Sequence, residues 1–338
     1  MKKALLIALC LIMAVSVVFA GCGNTTGTEE TTSETTEASG ASLKFGSGIY
    51  VAAPTVTDAT EDKEGEGKID ITVAAVTVDA DGKIVACALD TASNTVKYTA
   101  DGKAVAVEEF KTKYEQGADY NMVAYGGATK EWFEQADAFE ALVAGKTLDE
   151  VKALVAEENK GNDEVIAAGC TIMINEFVNA IEEAYNAAET DVTADAVLKV
   201  TAATEQTCTD ATEEKDGSNK VSTTVFAAAV DAEGKVVACA SDCVEVEFTF
   251  TTEGASTLDT TKEVVSKKAK GADYGMVAYG GATKEWFEQA AAFDAACVGK
   301  TADEIAGFVA EDGKGVEDIQ SAGCTIYVTG FVKAASKI

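Results

Sequence analysis

Apolar and polar positions change period twice along this chain. Residues 69–79 (IDITVAAVTVD) and 83–90 are β-branched runs on either side of Asp81-Gly82, a favoured tight hairpin turn. Residues 94–99 and 104–107 flank a second such pair, Asp101-Gly102, so the pattern predicts a meander of antiparallel strands. The same reading returns at 222–230, 235–241 and 244–251, with Glu233-Gly234 and Glu253-Gly254 as turns. Helical spacing follows each meander. After Gly126-Gly127, Thr129 is placed to cap a helix whose apolar positions Trp132, Phe133, Ala136, Phe139, Leu142 and Val143 form one stripe ending near Gly145. Thr147-Leu148-Asp149-Glu150 is a capping box that opens a short helix, and Thr301-Ala302-Asp303-Glu304 repeats it. A last helix over 175–187 has Phe177, Val178, Ile181 and Tyr185 on its inner face. Strands first and helices afterwards, within one unit, predict an α+β fold.

The recurrence is more than a pattern. Residues 117–139 and 271–293 agree at 21 of 23 positions at an offset of 154. Around them DADGKIVACALD (79–90) answers DAEGKVVACASD (231–242), and AAGCTIMINEFVNA (167–180) answers SAGCTIYVTGFVKA (321–334). A repeat of this length implies duplication of a whole domain. The expected organisation is two homologous tandem domains, 43–188 and 196–338, joined by a linker at 189–195, each an antiparallel β-meander followed by packed helices. The chain is long enough for two such domains, each with its own core.

The first 21 residues belong to neither copy. Lys2 and Lys3 precede an apolar run that ends in small residues, the form of a secretory signal peptide. It closes on Phe19-Ala20-Gly21-Cys22, which resembles the lipobox of bacterial lipoproteins, with Phe19 where Leu is usual. That resemblance implies cleavage before Cys22 and lipid on its sulfur. Several acyl chains there would hold the protein at a membrane, each buried methylene contributing about 0.8 kcal/mol. Residues 23–42, rich in Thr, Glu and Ser, cannot bury enough surface to offset their ordering entropy and read as a flexible tether. The expected location is the extracytoplasmic face of the cell membrane.

Charge and composition narrow the chemistry. Removing the leader takes two Lys and no acid, leaving 25 basic and 57 acidic residues, net −32. Such a charge repels nucleic acid and anionic headgroups and argues against both as direct partners. Arg and His are both absent, which excludes a Ser-His-Asp triad, imidazole-ligated zinc or haem, and a guanidinium clamp on phosphate. DADG lacks the earlier acidic ligand and closing Glu of an EF-hand, and the GKT segments lack the Gly that a phosphate loop needs, having Glu140 and Asp294 instead. Of nine cysteines, seven remain after the leader and the lipidated Cys22, and none has CxxC spacing. Cys87, Cys170, Cys239 and Cys324 lie among small apolar residues and read as buried hydrophobes. No catalytic set and no metal site emerges, and the acid pair Glu131 and Glu134 reads as a solvated helix face.

The order of parts resembles the FMN-binding domain of bacterial envelope proteins. A leading Gly-rich strand, a hairpin of the type VxVDxDGKIxxxxxD and a closing small-residue segment entering a helix carry the likeness. In that family the closing segment is Ser-Gly-Ala-Thr-x-Thr, whose second Thr carries flavin through its phosphate in many members. Here the segments are Ala168-Gly169-Cys170-Thr171-Ile172-Met173 and Ala322-Gly323-Cys324-Thr325-Ile326-Tyr327. Met173 and Tyr327 cannot form that phosphoester, so the resemblance implies at most non-covalent FMN, with Gly169, Thr171, Gly323 and Thr325 near its phosphate at a helix N-terminus. Equally, these are the residues that a strand-to-helix turn and cap require.

The nearly identical block is the other candidate. Tyr120, Tyr125, Lys130 and Trp132, with Tyr274, Tyr279, Lys284 and Trp286 as equivalents, could sandwich a planar ring and supply positive charge. The turns Gly126-Gly127 and Gly280-Gly281 could let backbone approach a ligand. Core anchoring and recent gene conversion account for the same identity. Two function classes stand: a lipid-anchored module binding flavin or a similar small aromatic ligand for extracytoplasmic electron transfer, and a ligand-free surface or interaction lipoprotein.

Overall fold

A computed structural model describes residues 42–338; the leader, Cys22 and the tether up to residue 41 lie outside the described residues. The strands are β1 (Leu43–Val51), β2 (Thr55–Thr57), β3 (Gly65–Val78), β4 (Ile84–Tyr98), β5 (Ala104–Val105), β6 (Thr190–Val192), β7 (Val197–Thr209), β8 (Gly217–Val230) and β9 (Val236–Phe250). The helices are α1 (Lys113–Gln116), α2 (Trp132–Val143), α3 (Leu148–Lys152), α4 (Asp163–Ala168), α5 (Asn175–Asn186), α6 (Lys267–Lys270), α7 (Trp286–Cys297), α8 (Ala302–Ala306), α9 (Glu317–Ser321) and α10 (Thr329–Ala335). The fold is α+β. One antiparallel sheet of six strands runs β5-β4-β3-β1-β6, with β2 also paired to β3, and a second of three runs β7-β8-β9.

The hairpin turn at Asp81-Gly82 forms, as a three-residue loop Ala80-Asp81-Gly82 closed by Asp79 and Lys83 with Gly82 at φ 74, and β3 pairs β4 from Val78–Ile84 to Gly65–Tyr98. The runs at 83–90 and 94–99, expected as separate strands, are one strand, because Thr91, Ala92 and Ser93 continue the pairing without a turn residue. The runs at 235–241 and 244–251 merge likewise into β9. Residues 189–195, expected as a linker, contain β6, which pairs with β1 from Phe45–Thr190 to Leu43–Val192. The helix expected to start at Thr129 is capped instead by Glu131, whose backbone N–H is bonded by Glu134 in a reciprocal box. Both Thr-x-x-Glu boxes cap their helices as expected.

Alternation along the central strands sets the layers. Ala74, Val76 and Val78 of β3 pack with Trp132, Phe139, Phe177 and Ile181 from the helices of the first copy. Phe226, Ala228 and Val230 of β8 do the same with Trp286, Phe293 and Phe331 in the second. The opposite faces meet each other. Ile69, Ile71 and Val73 pack with Val221, Val225, Val244 and Phe248, and Ala75 packs with Ala227 and Ala229. The order is helices, sheet, sheet, helices, and the described residues form a single compact unit. Both faces of β3 and β8 are covered, which explains why their apolar runs are nearly unbroken.

The contact between sheets is reciprocal. The Ala59 N–H donates to Gly254 O at 2.8 Å, and the equivalent Ala211 N–H donates to Gly102 O at 2.7 Å. The Ser256 N–H donates to Asp58 Oδ1 at 2.8 Å, and the equivalent Ala104 N–H to Asp210 Oδ1 at 3.0 Å. At the middle, Tyr98 stacks on its own equivalent, Phe250, with centroids 4.5 Å apart and planes 4° from parallel. Their outer faces lie against Gly65 and Gly217, where a Cβ would strike the rings. Such i-to-j and j-to-i contacts are what two copies make about a two-fold axis.

Candidate functional site

Each near-identical block begins as a 3-10 turn (Gly117–Tyr120, Gly271–Tyr274), crosses a loop and enters α2 or α7. The loop is tied to the helix by Glu131, whose carboxylate accepts the Met122 N–H at 2.9 Å and the Val123 N–H at 3.2 Å. Glu285 repeats this with Met276 and Val277. Glu131 is therefore buried rather than part of a solvated face, and its pairing with Glu134 is a cap. Gln135, also buried, donates to Lys130 O and accepts from both the N–H and the hydroxyl of Thr171, at 2.8 and 2.9 Å. Gln289 holds Lys284 O and Thr325 in the same way. Both donors of Thr171 and of Thr325, expected near a phosphate, are thus engaged within the protein.

Gly169 and Gly323 have φ of 100 and 106, and the Lys130 and Lys284 ammonium groups stand where a Cβ would go. These lysines reach the glycines only because no side chain is there. Tyr125 and Tyr279, with their Gly-Gly turns, are on the exposed loop, 88% and 92% accessible. Trp132 and Trp286 are buried first residues of their helices, packed on Phe177 and Phe331. The expected sandwich of Tyr125, Lys130 and Trp132 does not assemble in either copy, because the loop carries Tyr125 outward while the helix start turns Trp132 inward.

What does converge is a lysine that the sequence did not single out. Lys113 Nζ lies 5.6 Å from the ring centres of both Tyr120 and Trp132, and Lys267 Nζ lies 5.3 Å from Tyr274 and 5.6 Å from Trp286. Each ammonium is desolvated between aromatic faces, a geometry worth about 2 kcal/mol. Each also faces a carboxylate, but from different strands. Lys113 is 3.9 Å from Asp70 on β3, and Lys267 is 3.1 Å from Glu245 on β9. The cross-strand partner is Ser93 opposite Asp70 and Ser222 opposite Glu245, so acid and hydroxyl have exchanged strands between the copies. Burial works against the Lys267 ammonium, but Cys243, Glu245 and Tyr274 outweigh it and leave its pKa above the ordinary value. Burial likewise opposes ionisation of Glu245, and Lys267 and Lys220 hold it below the usual range. The signal available in the sequence was the Lys four residues before the Gly of GADY in both copies.

In the second copy this cluster opens onto a cleft of about 530 Å³ between β7–β9 and the α10 segment. Tyr274, Trp286, Ile326, Tyr327 and Phe331 form its apolar lining, and Lys220, Glu205, Glu245, Lys267, Ser222 and Thr224 its polar lining. Among the residues expected to contact cofactor, Trp286 lines it; Thr325 lies on a separate shallow groove beside Gln320. At the equivalent place in the first copy stands Glu176, whose Oε2 accepts from the Thr72 hydroxyl at 3.3 Å. The second copy has Gly330 there, where a Cβ would come 2.7 Å from Thr224 Oγ1. All seven described cysteines are free thiols; Cys170 and Cys324 are buried, with burial raising each pKa to about 11.

The Gln135 bridge carries a prediction. Replacing Gln135 by Leu keeps the volume but removes the buried amide that holds Lys130 O and both donors of the exposed Thr171, which should cost about 1 kcal/mol. Chemical denaturation reads this directly; a change under about 0.5 kcal/mol would mean that water serves Thr171 equally well.

Searches against protein-family models, curated proteins and solved structures found no match to this chain.

Proposed function

We propose that this chain is a lipid-anchored binding protein of the cell envelope that holds a flavin, or a similar small aromatic ligand, non-covalently. Its two halves, 43–188 and 196–338, are homologous tandem modules of the FMN-binding-like type. The agreement of β3 with β8, β4 with β9, and α2 with α7 in order and register supports the tandem reading. The anchor rests on the leader and Cys22. The observation that carries the flavin reading is the position of Tyr327. It occupies the place of the family's flavin-accepting Thr, is 69% exposed, and stands on the rim of the 530 Å³ cleft beside Trp286. Its volume lies in the range of small-molecule sites, and its lining sets aromatic and aliphatic side chains beside hydroxyls and four charged groups.

A bound flavin would supply electron transfer, while the chain supplies position and environment. Trp286 and Phe331 offer apolar walls, Ser222 and Thr224 offer hydroxyls to a ring edge, and the Lys267–Glu245 pair fixes the floor. The protein then acts as a carrier rather than an enzyme. A second reading, a ligand-free surface lipoprotein, is favoured by the Thr171–Gln135 and Thr325–Gln289 bonds, which give the shared block a structural task in both copies.

The test is purification of the full chain in mild detergent, followed by acid release of any yellow chromophore and titration with flavin. Bound flavin released by acid is the expected result. Absence of binding at either copy would favour the ligand-free protein, and colour surviving denaturation would contradict the non-covalent site.

A further inference from the structure

The second copy holds a pair of cysteines that the first does not. Cys239 on β9 and Cys297 at the end of α7 belong to one core cluster, and their thiols are in hydrogen-bonding contact. Both converge on one turn of the helix. The Cys239 thiol donates to Asp294 O at 3.3 Å, and Cys297 follows Asp294 by three residues, on the same helix face. The alignment is fixed from the strand side as well. Ser241, on the same face of β9 as Cys239, donates its hydroxyl to Asp294 Oδ1 at 2.6 Å and its N–H to Oδ2 at 3.1 Å. In the first copy Cys87 takes the place of Cys239 and Glu140 that of Asp294, but Val143 stands where Cys297 does. The thiol facing the strand cysteine is therefore found in one half alone.

We propose that Cys239 and Cys297 close a reversible disulfide that staples α7 to β9 in the second copy only. The oxidant is a small-molecule disulfide, and the step is thiol–disulfide exchange. One protein thiolate attacks a sulfur of the small disulfide and expels a thiolate. The second protein thiolate then attacks the protein sulfur of the mixed disulfide and expels the other. The protein gains one S–S bond and gives up two protons, which the two released thiolates take, so the oxidant ends as two thiols. Contact with Cys297, burial and Asp294 hold the Cys239 pKa well above the ordinary thiol value. Little thiolate is present in the folded chain, which places bond formation during folding, before the strand and helix have closed over it. Cys297 is buried and Cys239 half-buried, so a small reductant reaches the finished bond only from the Cys239 side. The bond ties together everything from β9 through the GADY block to α7, a restriction of the unfolded chain that stabilises the fold.

To test this, the full chain in mild detergent is reduced, unfolded in guanidinium and refolded in a buffer of oxidised and reduced glutathione. Free thiols are then alkylated and the digest is mapped by mass spectrometry. A reducible cross-link between the Cys239 and Cys297 peptides is expected, with Cys87 and Cys170 left alkylated. The oxidised chain should unfold at a higher midpoint than the reduced chain. That difference should vanish in Cys297→Val, which places the first copy's residue in the second; if this variant does not fold, Cys239→Ala takes its place. Alkylation of both Cys239 and Cys297 after refolding would overturn the proposal, as would Cys297 joined to its neighbour Cys324. A cross-link that left the midpoint unchanged or lowered it would overturn the staple.

Discussion

Replacing Phe250 by Ala is expected to cost about 3–5 kcal/mol, the range for truncating a fully buried aromatic ring. The cost should lie near the upper end, because the ring is fully buried between Gly217 and Tyr98 and neither glycine nor a stacked aromatic can collapse into the space. The Tyr98 hydroxyl, bonded to Thr57 O at 2.8 Å, holds its own ring in place and so preserves the cavity. Guanidinium unfolding followed by far-ultraviolet circular dichroism should show the midpoint falling in a single transition. Both halves lose together, since the sheets share the cluster of Ile69, Ile71, Val221 and Val246. Separate transitions for the two halves, or a loss below about 1 kcal/mol, would refute the shared-core account.

The second large effect is electrostatic. Burial pushes the Glu140 carboxyl up to about 8, that of Asp294 to about 7 and that of Asp90 to about 6. In the unfolded chain these groups titrate near 4. Between roughly pH 4 and pH 8, therefore, the native state retains protons that the unfolded state has released. Stability must fall as pH rises through that window and level off above it. Glu140→Gln keeps an acceptor for the Leu89 N–H, now 2.7 Å away, and removes the charge. It should match the parent near pH 5 and exceed it by on the order of 2–3 kcal/mol at pH 9. Denaturation at both pH values checks the sign. A variant less stable than the parent at pH 9 would show that the ionised carboxylate is favourably held.

The strand and helix content of each copy was written in local signals. Asp-Gly pairs marked the hairpins, Thr-x-x-Glu marked two helix starts, and period marked the faces of α2 and α5. The merging of 83–90 with 94–99 was missed because Ser93 and Asn94 look like turn residues, yet they face partners. Asn94 donates to Thr223 Oγ1 at 2.9 Å across the sheets. The sheet-on-sheet layer was legible only indirectly, in the unbroken TVAAVTV run, which is too apolar for a strand with one wet face. Within the candidate site, Trp132 and Trp286 could be found by repetition, but their roles depended on which way a helix start turned. The carboxylates facing Lys113 and Lys267 left no repeated signal at all, since Asp70 and Glu245 come from different strands. Glu176 against Gly330 is one of several differences between these two segments, and only their packing against Thr72 and Thr224 sets that difference apart.

The reciprocal bonds around Tyr98 and Phe250 have a consequence for how the halves diverge. In a pair of separate identical subunits, any change near the axis is inherited on both sides and must be tolerated twice. Here one backbone joins the two sides, so each substitution enters only one of them. Tyr opposite Phe, an acid that changes strand, and Glu176 on one side where Gly330 stands on the other are all arrangements that identical subunits could not make. A single backbone thus lets one half change residue by residue while the core shared between the sheets keeps its shape.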